Sequence, residues 1–187
     1  MLGNKYKDDY KKTTYFGQDG KLKETTYYEG KYFVLPYDEK VKKKNGITCL
    51  IFAVLFLIIF FAGGMINQDS SHTFWIVFPY LFIFLPAAYN LIGAISFLNL
   101  NIKMERAQYD GSIIRMKHSA RGLLILGMLN IFLDCIYIFI NRNTLNFLRE
   151  FIYLLFIAFL CISVFMFGRL FDKMFYDIKE ESPPNIM

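Results

Sequence analysis

Asp134 has the most chemistry to offer in this chain, because it is an acid inside an otherwise uncharged apolar run, Gly122 to Ile140. An ionisable side chain at bilayer depth costs about 2.5–3.5 kcal/mol on insertion scales, which makes it a functional candidate by default. Gly127, Asn130, Asp134 and Tyr137 recur at i, i+3, i+7 and i+10, so a helix carries them on one face. Asn90, in the preceding apolar run, lies about as far from its own basic flank as Asn130 does. The two amides are therefore expected to meet one turn below Asp134. Two kinds of chemistry fit such a cluster. In a small transporter, Asp134 loads and releases a proton or cation, with Asn90, Asn130 and Tyr137 as neutral partners. In a purely structural role, Asp134 hydrogen-bonds between helices, within the chain or across an oligomer.

The second run also holds Pro79 and Pro86. Pro86 lacks an N–H and crowds the carbonyl of Phe82, which predicts a kink that shapes packing or frees a carbonyl to line a cavity. Lys40, Lys42, Lys43 and Lys44 lie directly against the first apolar run. Each Lys near an anionic leaflet is worth about 1 kcal/mol, so the four are expected to anchor this segment on acidic lipid head groups. Glu150, beside Arg149, reads as a boundary residue at the end of a span.

Other chemistries find no complete set of residues. His72 and His118 are too far apart in the chain to share a metal, and neither has a second ligand at useful spacing. Cys49, Cys135 and Cys161 all fall inside apolar runs, where they read as small packing residues. DGSIIR at 110–115 matches only the opening of the D-G-x2-A-R-x8-G-x3-D-x3-D signature of membrane CDP-alcohol phosphotransferases. That family needs Ala, Gly, Asp and Asp where this chain has Ile114, Leu124, Met128 and Phe132, so its metal-binding carboxylates are missing. Neither an enzyme nor a cofactor is indicated.

The elements that must position these residues follow from composition. Of 187 residues, 55% are hydrophobic and 19% aromatic, and the apolar ones are gathered into four blocks. The blocks run from about 47–66, 74–98, 122–140 and 151–168. About 20 residues of helix cross the roughly 30 Å of hydrocarbon, and only helices or closed barrels satisfy their backbone there. The expected fold is an all-α integral membrane protein, a four-helix transmembrane bundle over 47–168. Eleven of the 21 Lys and Arg precede the first block, five lie in the 99–121 loop and three in the 169–187 tail. The 141–149 loop has two and the 66–73 loop none, which predicts both termini in the cytoplasm. Heavy Lys, Ile, Asn, Phe and Tyr usage suits a bacterium with AT-rich coding, hence a bacterial inner membrane. The excess of positive charge is accounted for by topology, leaving no case for nucleic acid.

Residues 1–46 hold seven of the 13 tyrosines. QDG at 18–20 and EG at 29–30 separate three β-favouring runs, TTYF, KLKETTYY and KYFVL, ended by Pro36. They predict a small cytoplasmic β-hairpin or three-stranded meander. The 99–121 loop is expected to extend the neighbouring helices, with Met104, Ile113, Ile114 and Met116 facing a bilayer surface or a partner. LNIKM (100–104) and LFDKM (170–174) hint at a repeated helical hairpin. Leu2 and the terminal PNIM carry neither a myristoylation nor a prenylation signal. The function that fits is an accessory or scaffolding protein binding a membrane-protein partner or the lipid surface, or a homo-oligomer. The alternative is a small oligomeric ion- or proton-coupled transporter using Asp134.

Overall fold

The structure is a computed structural model that describes residues 4–16 and 21–182. The QDG turn, Leu2 and PNIM lie outside the described residues. Four long helices dominate: α1 (Glu39–Gly64), α2 (Phe74–Leu98), α4 (Arg115–Asn141) and α5 (Phe147–Met174). A short helix α3 (Arg106–Tyr109) and a π-helical turn, Asp110–Ile114, run straight into α4. All four long helices are long and apolar enough to cross a membrane.

The interior positions repeat in steps of four and three. In α2 they are Ile76, Tyr80, Ile83, Ala87, Asn90, Ala94 and Phe97. In α5 they are Glu150, Tyr153, Ile157, Leu160, Val164, Phe167 and Phe171. The same stepping runs from Lys42 to Gly63 in α1 and from Met116 to Asp134 in α4. A 3.5-residue repeat belongs to a left-handed supercoiled bundle, with side chains of one helix seated between those of its neighbours. Here α1 and α4 each pack on both α2 and α5, closing a ring of four. Outward positions are as apolar as inward ones: Ile51, Ile58, Phe82, Leu85, Ile125, Phe132, Leu155 and Phe159 are all exposed. Small residues set the close approaches. A Cβ on Gly127 would lie 2.6 Å from Cys161 Sγ, and one on Gly93 would lie 3.1 Å from the Ser112 carbonyl. The helix of α2 continues through both Pro79 and Pro86, and Pro86 packs against Gly122.

One end of the bundle carries two small sheets. Strands β1 (Tyr10–Phe16) and β2 (Leu22–Tyr28) form an antiparallel hairpin, Tyr10 opposite Tyr28 and Phe16 opposite Leu22. The third run, β3 (Tyr32–Val34), does not extend this hairpin into a meander. It forms the centre of a second sheet, between β4 (Lys103–Glu105) and β5 (Lys179–Glu181). The reason is partner supply: β3 follows the tight Glu29–Gly30 link, and both of its edges are taken by charged strands, with Lys31–Glu180 tying β5 to the start of β3 and Lys103–Glu181 tying the two outer strands to each other. This second sheet sits over the core, with Met104 fully buried, and Leu35 N donates to the Ile102 carbonyl (3.1 Å).

The hairpin itself is exposed along nearly its whole length and is held at its base. Tyr10 Oη donates to Glu105, and the Arg106 N–H donates to Tyr28 Oη (3.0 Å). Tyr10, Tyr28 and Tyr32 stack edge to face at 5.1 and 5.0 Å. Lys5 and Tyr6 both reach Asp110, at 2.6 and 2.9 Å. These contacts matter because a lone two-stranded ribbon is marginal in water. Burial, together with the Glu105 bond, pushes the Tyr10 phenol above its ordinary range.

Two further expectations change here. In the 99–121 segment, Met104, Ile113 and Met116 are buried in the bundle and Ile114 is half-buried, so these residues serve the core. LNIKM is loop and strand whereas LFDKM is the last turn of α5, so the shared letters do not mark a structural repeat.

Candidate functional site

At the end of the bundle opposite the sheets, four elements bring polar side chains together. Asp134 projects from the inward stripe of α4 and is 0% exposed, with neither carboxylate oxygen hydrogen-bonded. Beside it lies Glu150, also 0% exposed, on the inward stripe of α5. Between α1 and α2 a 3-10 turn, Asp69–His72, folds back onto the start of α5. Its Ser70 satisfies Glu150 twice: the backbone N–H donates to Oε1 and the hydroxyl to Oε2, both at 2.8 Å. The Ser70 side chain also lies within interaction range of Asp134. The turn is pinned from outside as well. Asp69 accepts the Asn146 N–H (2.8 Å), and the Arg149 guanidinium donates to the Asn67 carbonyl (3.2 Å).

One helical turn before Asp134, Asn130 knits three helices. Its Nδ2 donates to the Ile76 carbonyl on α2 (3.2 Å), and its Oδ1 accepts from Tyr153 Oη on α5 (2.6 Å). Tyr80 Oη donates to the Phe60 carbonyl, tying α2 to α1. Next to this layer a cleft of about 440 Å³ opens between α1, α2 and α5; Gln68, Ile76, Tyr80 and Tyr153 are among its walls. Gln68 is 5% exposed, and its Oε1 has no hydrogen-bond partner.

The expected meeting of Asn90 and Asn130 does not occur. Asn90 Nδ2 donates to the Met116 carbonyl (3.2 Å) and to Ser119 Oγ (3.1 Å). Asn130 lies 11 residues beyond Ser119, roughly 16 Å along the axis at 1.5 Å per residue. The cause is the length of α4, which begins well before the apolar run and so shifts its register against α2. Tyr137 is half-buried and pairs with Trp75 at 6.2 Å between ring centroids, outside the Asp134 layer.

The four lysines also divide. Lys40, Lys43 and Lys44 are exposed, whereas Lys42 is 9% exposed and turns inward. Its ammonium donates to the Leu98 carbonyl (3.0 Å) and to the Leu100 carbonyl, and sits 5.8 Å above the Phe97 ring. Lys42 caps the C-terminus of α2, and only the other three remain at the surface.

Sequence reasoning missed Ser70, Glu150 and Tyr153. A signal for two of them existed, since stepping back from Val164 by the repeat gives Leu160, Ile157, Tyr153 and Glu150. Nothing comparable marks Ser70, whose position depends on how the turn folds back. Among the described residues no group of three His, Cys, Asp or Glu side chains could hold a metal ion. The chain matches no protein-family model, no curated protein and no solved structure.

Proposed function

We propose that the chain is a multi-pass membrane protein of a bacterial inner membrane, with four spans and both termini in the cytoplasm. Its activity is that of an accessory or scaffolding protein, presenting a cytoplasmic platform to a membrane-protein partner or to anionic lipid head groups. The exposed apolar residues around all four helices support insertion, because a soluble monomer rarely exposes so continuous an apolar surface. The β4–β3–β5 sheet supports the orientation: it joins segments before α1, after α2 and after α5, which therefore share one side. The lysine bias then assigns that side to the cytoplasm.

The observation that carries the scaffolding role is this same sheet. It fuses three distant segments into one surface and holds out a hairpin whose tip, Tyr15, Phe16 and Leu22, is 50–76% exposed. The test is extraction from the native membrane in mild detergent, with the bound proteins identified by mass spectrometry. A stoichiometric, larger membrane protein that is lost when Tyr15, Phe16 and Leu22 are all changed to Ser supports the role. Recovery of the chain only as itself or as a homo-oligomer refutes it.

A second reading, ion- or proton-coupled transport through Asp134, is favoured by one specific observation. Asp134 makes no hydrogen bond between helices, and being fully buried it does not reach a second copy, so structural glue does not explain it. Asp134→Asn separates the readings: transport lost with assembly intact favours the transporter.

A further inference from the structure

The polar layer at the far end contains a charge imbalance that the scaffolding reading leaves unresolved and that involves Glu150 as well as Asp134. Asp134 and Glu150 are both fully buried, and each lies within electrostatic reach of the other. Glu150 has two hydrogen-bond donors, both from Ser70; Asp134 has none. No described basic side chain forms an ion pair with either carboxylate. The neighbouring segments offer three candidates, His72, Arg142 and Arg149. All three are exposed, and Arg149 is turned to the Asn67 carbonyl. Asp69, the other acid in the turn, is directed to the Asn146 N–H. The groups facing the pair from α2 and α5 are neutral, namely Tyr80 and Tyr153, and no charged residue of α1 lies at this end. Two carboxylates this close in a low-dielectric interior repel strongly unless a positive charge lies with them.

We propose that Asp134 and Glu150 together bind one positive charge, a proton or an alkali-metal ion, beside Ser70. The donor chemistry suits either. A proton shared by two carboxylates needs only those two groups. A hard monovalent cation needs several oxygens, and here it finds the free carboxylate of Asp134, Glu150 and the Ser70 hydroxyl. Gln68 adds a buried carbonyl oxygen without a partner, in the same turn as Ser70. A cleft opens beside this layer between α1, α2 and α5; it is lined by Gln68 and by Ile76 and Tyr153, the two residues that hold Asn130 one turn from Asp134. The proposal concerns occupancy alone, so it stands or falls separately from partner binding and from transport.

The chain carries its own reporter. Trp75 is its single tryptophan, adjacent to Ile76 and paired with Tyr137 on α4. The full-length protein in vesicles of neutral lipid is titrated with NaCl, LiCl and KCl against choline chloride at fixed ionic strength, reading Trp75 emission. Infrared difference spectra at neutral pH monitor the carboxylic-acid C=O stretch, which disappears on ionisation. Binding of an alkali ion gives a saturable emission change with Na⁺, Li⁺ or K⁺ and none with choline. Binding of a proton gives an acid C=O band that is indifferent to salt. In either case Asp134→Asn and Glu150→Gln each remove the signal, and Glu24→Gln on the remote hairpin leaves it intact. Should the two isosteric variants fail to fold, Ser70→Ala deletes one hydroxyl and is expected to weaken binding roughly tenfold or more, the effect of one hydrogen bond to a charged group. The absence of both an ion response and an acid band in the wild type overturns the proposal. So does a signal that survives these substitutions.

Discussion

Lys42 offers the sharpest contrast between a role read from composition and one read from structure. Four lysines within five positions have the same charge and the same distance to the first span, yet only Lys42 is buried. The perturbation is Lys42→Met, which keeps the length and apolar stem of the side chain and deletes its ammonium. Two charge-assisted hydrogen bonds, to the Leu98 and Leu100 carbonyls, are lost. Hydrogen bonds to charged groups contribute about 1.5–3 kcal/mol each, and a cation at a helix C-terminus adds roughly 0.3–1 kcal/mol. Against this, Lys42 gives up about 1.5–2 kcal/mol of rotamer freedom to hold its position, most of which Met does not regain when buried. The net expected loss is about 3–6 kcal/mol for Lys42→Met. Lys40→Met, Lys43→Met and Lys44→Met touch no carbonyl and should each fall within about 0.5 kcal/mol of wild type. The assay is reversible unfolding in mixed micelles with rising dodecyl sulfate, followed by Trp75 fluorescence. Equal effects for all four lysines, or no loss at Lys42, would refute the capping argument and return the cluster to lipid anchoring alone.

Other outcomes follow from the packing. Gly127→Ala forces a Cβ against Cys161 Sγ and should destabilise by about 1–3 kcal/mol, as overpacking does, with the loss largely restored in Gly127→Ala/Cys161→Ala; a double mutant no better than the single would place the contact elsewhere. Tyr153→Phe strands the Asn130 carbonyl oxygen and should cost about 1–3 kcal/mol in the same unfolding assay, a loss that disappears when Asn130 is already Ala. Tyr10→Phe combined with Tyr28→Phe frees the base of the hairpin, and limited proteolysis should then cut within 10–28 at least several-fold faster while the four helices keep their unfolding midpoint. An unchanged cutting rate would show that the hairpin is held by something other than those hydroxyls.

Much of the fold was legible because hydrocarbon imposes a length. The run 74–98 coincides with α2, and the other three apolar runs lie within or nearly within α1, α4 and α5. The helix ends were not legible from hydropathy, since a helix continues wherever backbone geometry and caps allow. Asp38 accepting the Val41 N–H starts α1 eight residues before its apolar run, and α3 with the π turn prolongs α4 in the same way. That extra length is why Asn90 and Asn130 were wrongly matched. Glu150 was discounted because it sits where apolarity ends, although the four-three repeat places it inside. Strands β4 and β5, KME and KEE, have no strand signature; these largely charged triplets become strands only because β3 is already there to receive them. Their pairing is a property of the closed bundle, which no local window contains.

The three-stranded sheet also has a consequence for the order of events during synthesis. Its strands lie at 32–34, 103–105 and 179–181, so the last partner emerges only when the chain is almost finished. Contacts of such sequence separation form late, after the loop-closure entropy of both intervening helix pairs has been offset by their packing. Until then β3 presents an open edge and Lys31 and Lys103 have no glutamates to meet. The sheet therefore works as a completion check: it closes only on a chain whose two helical hairpins have both returned to the side from which they set out. With the helices spanning a membrane as proposed, a chain with one hairpin misinserted leaves that edge unpaired, and an unpaired strand edge is a template for aggregation.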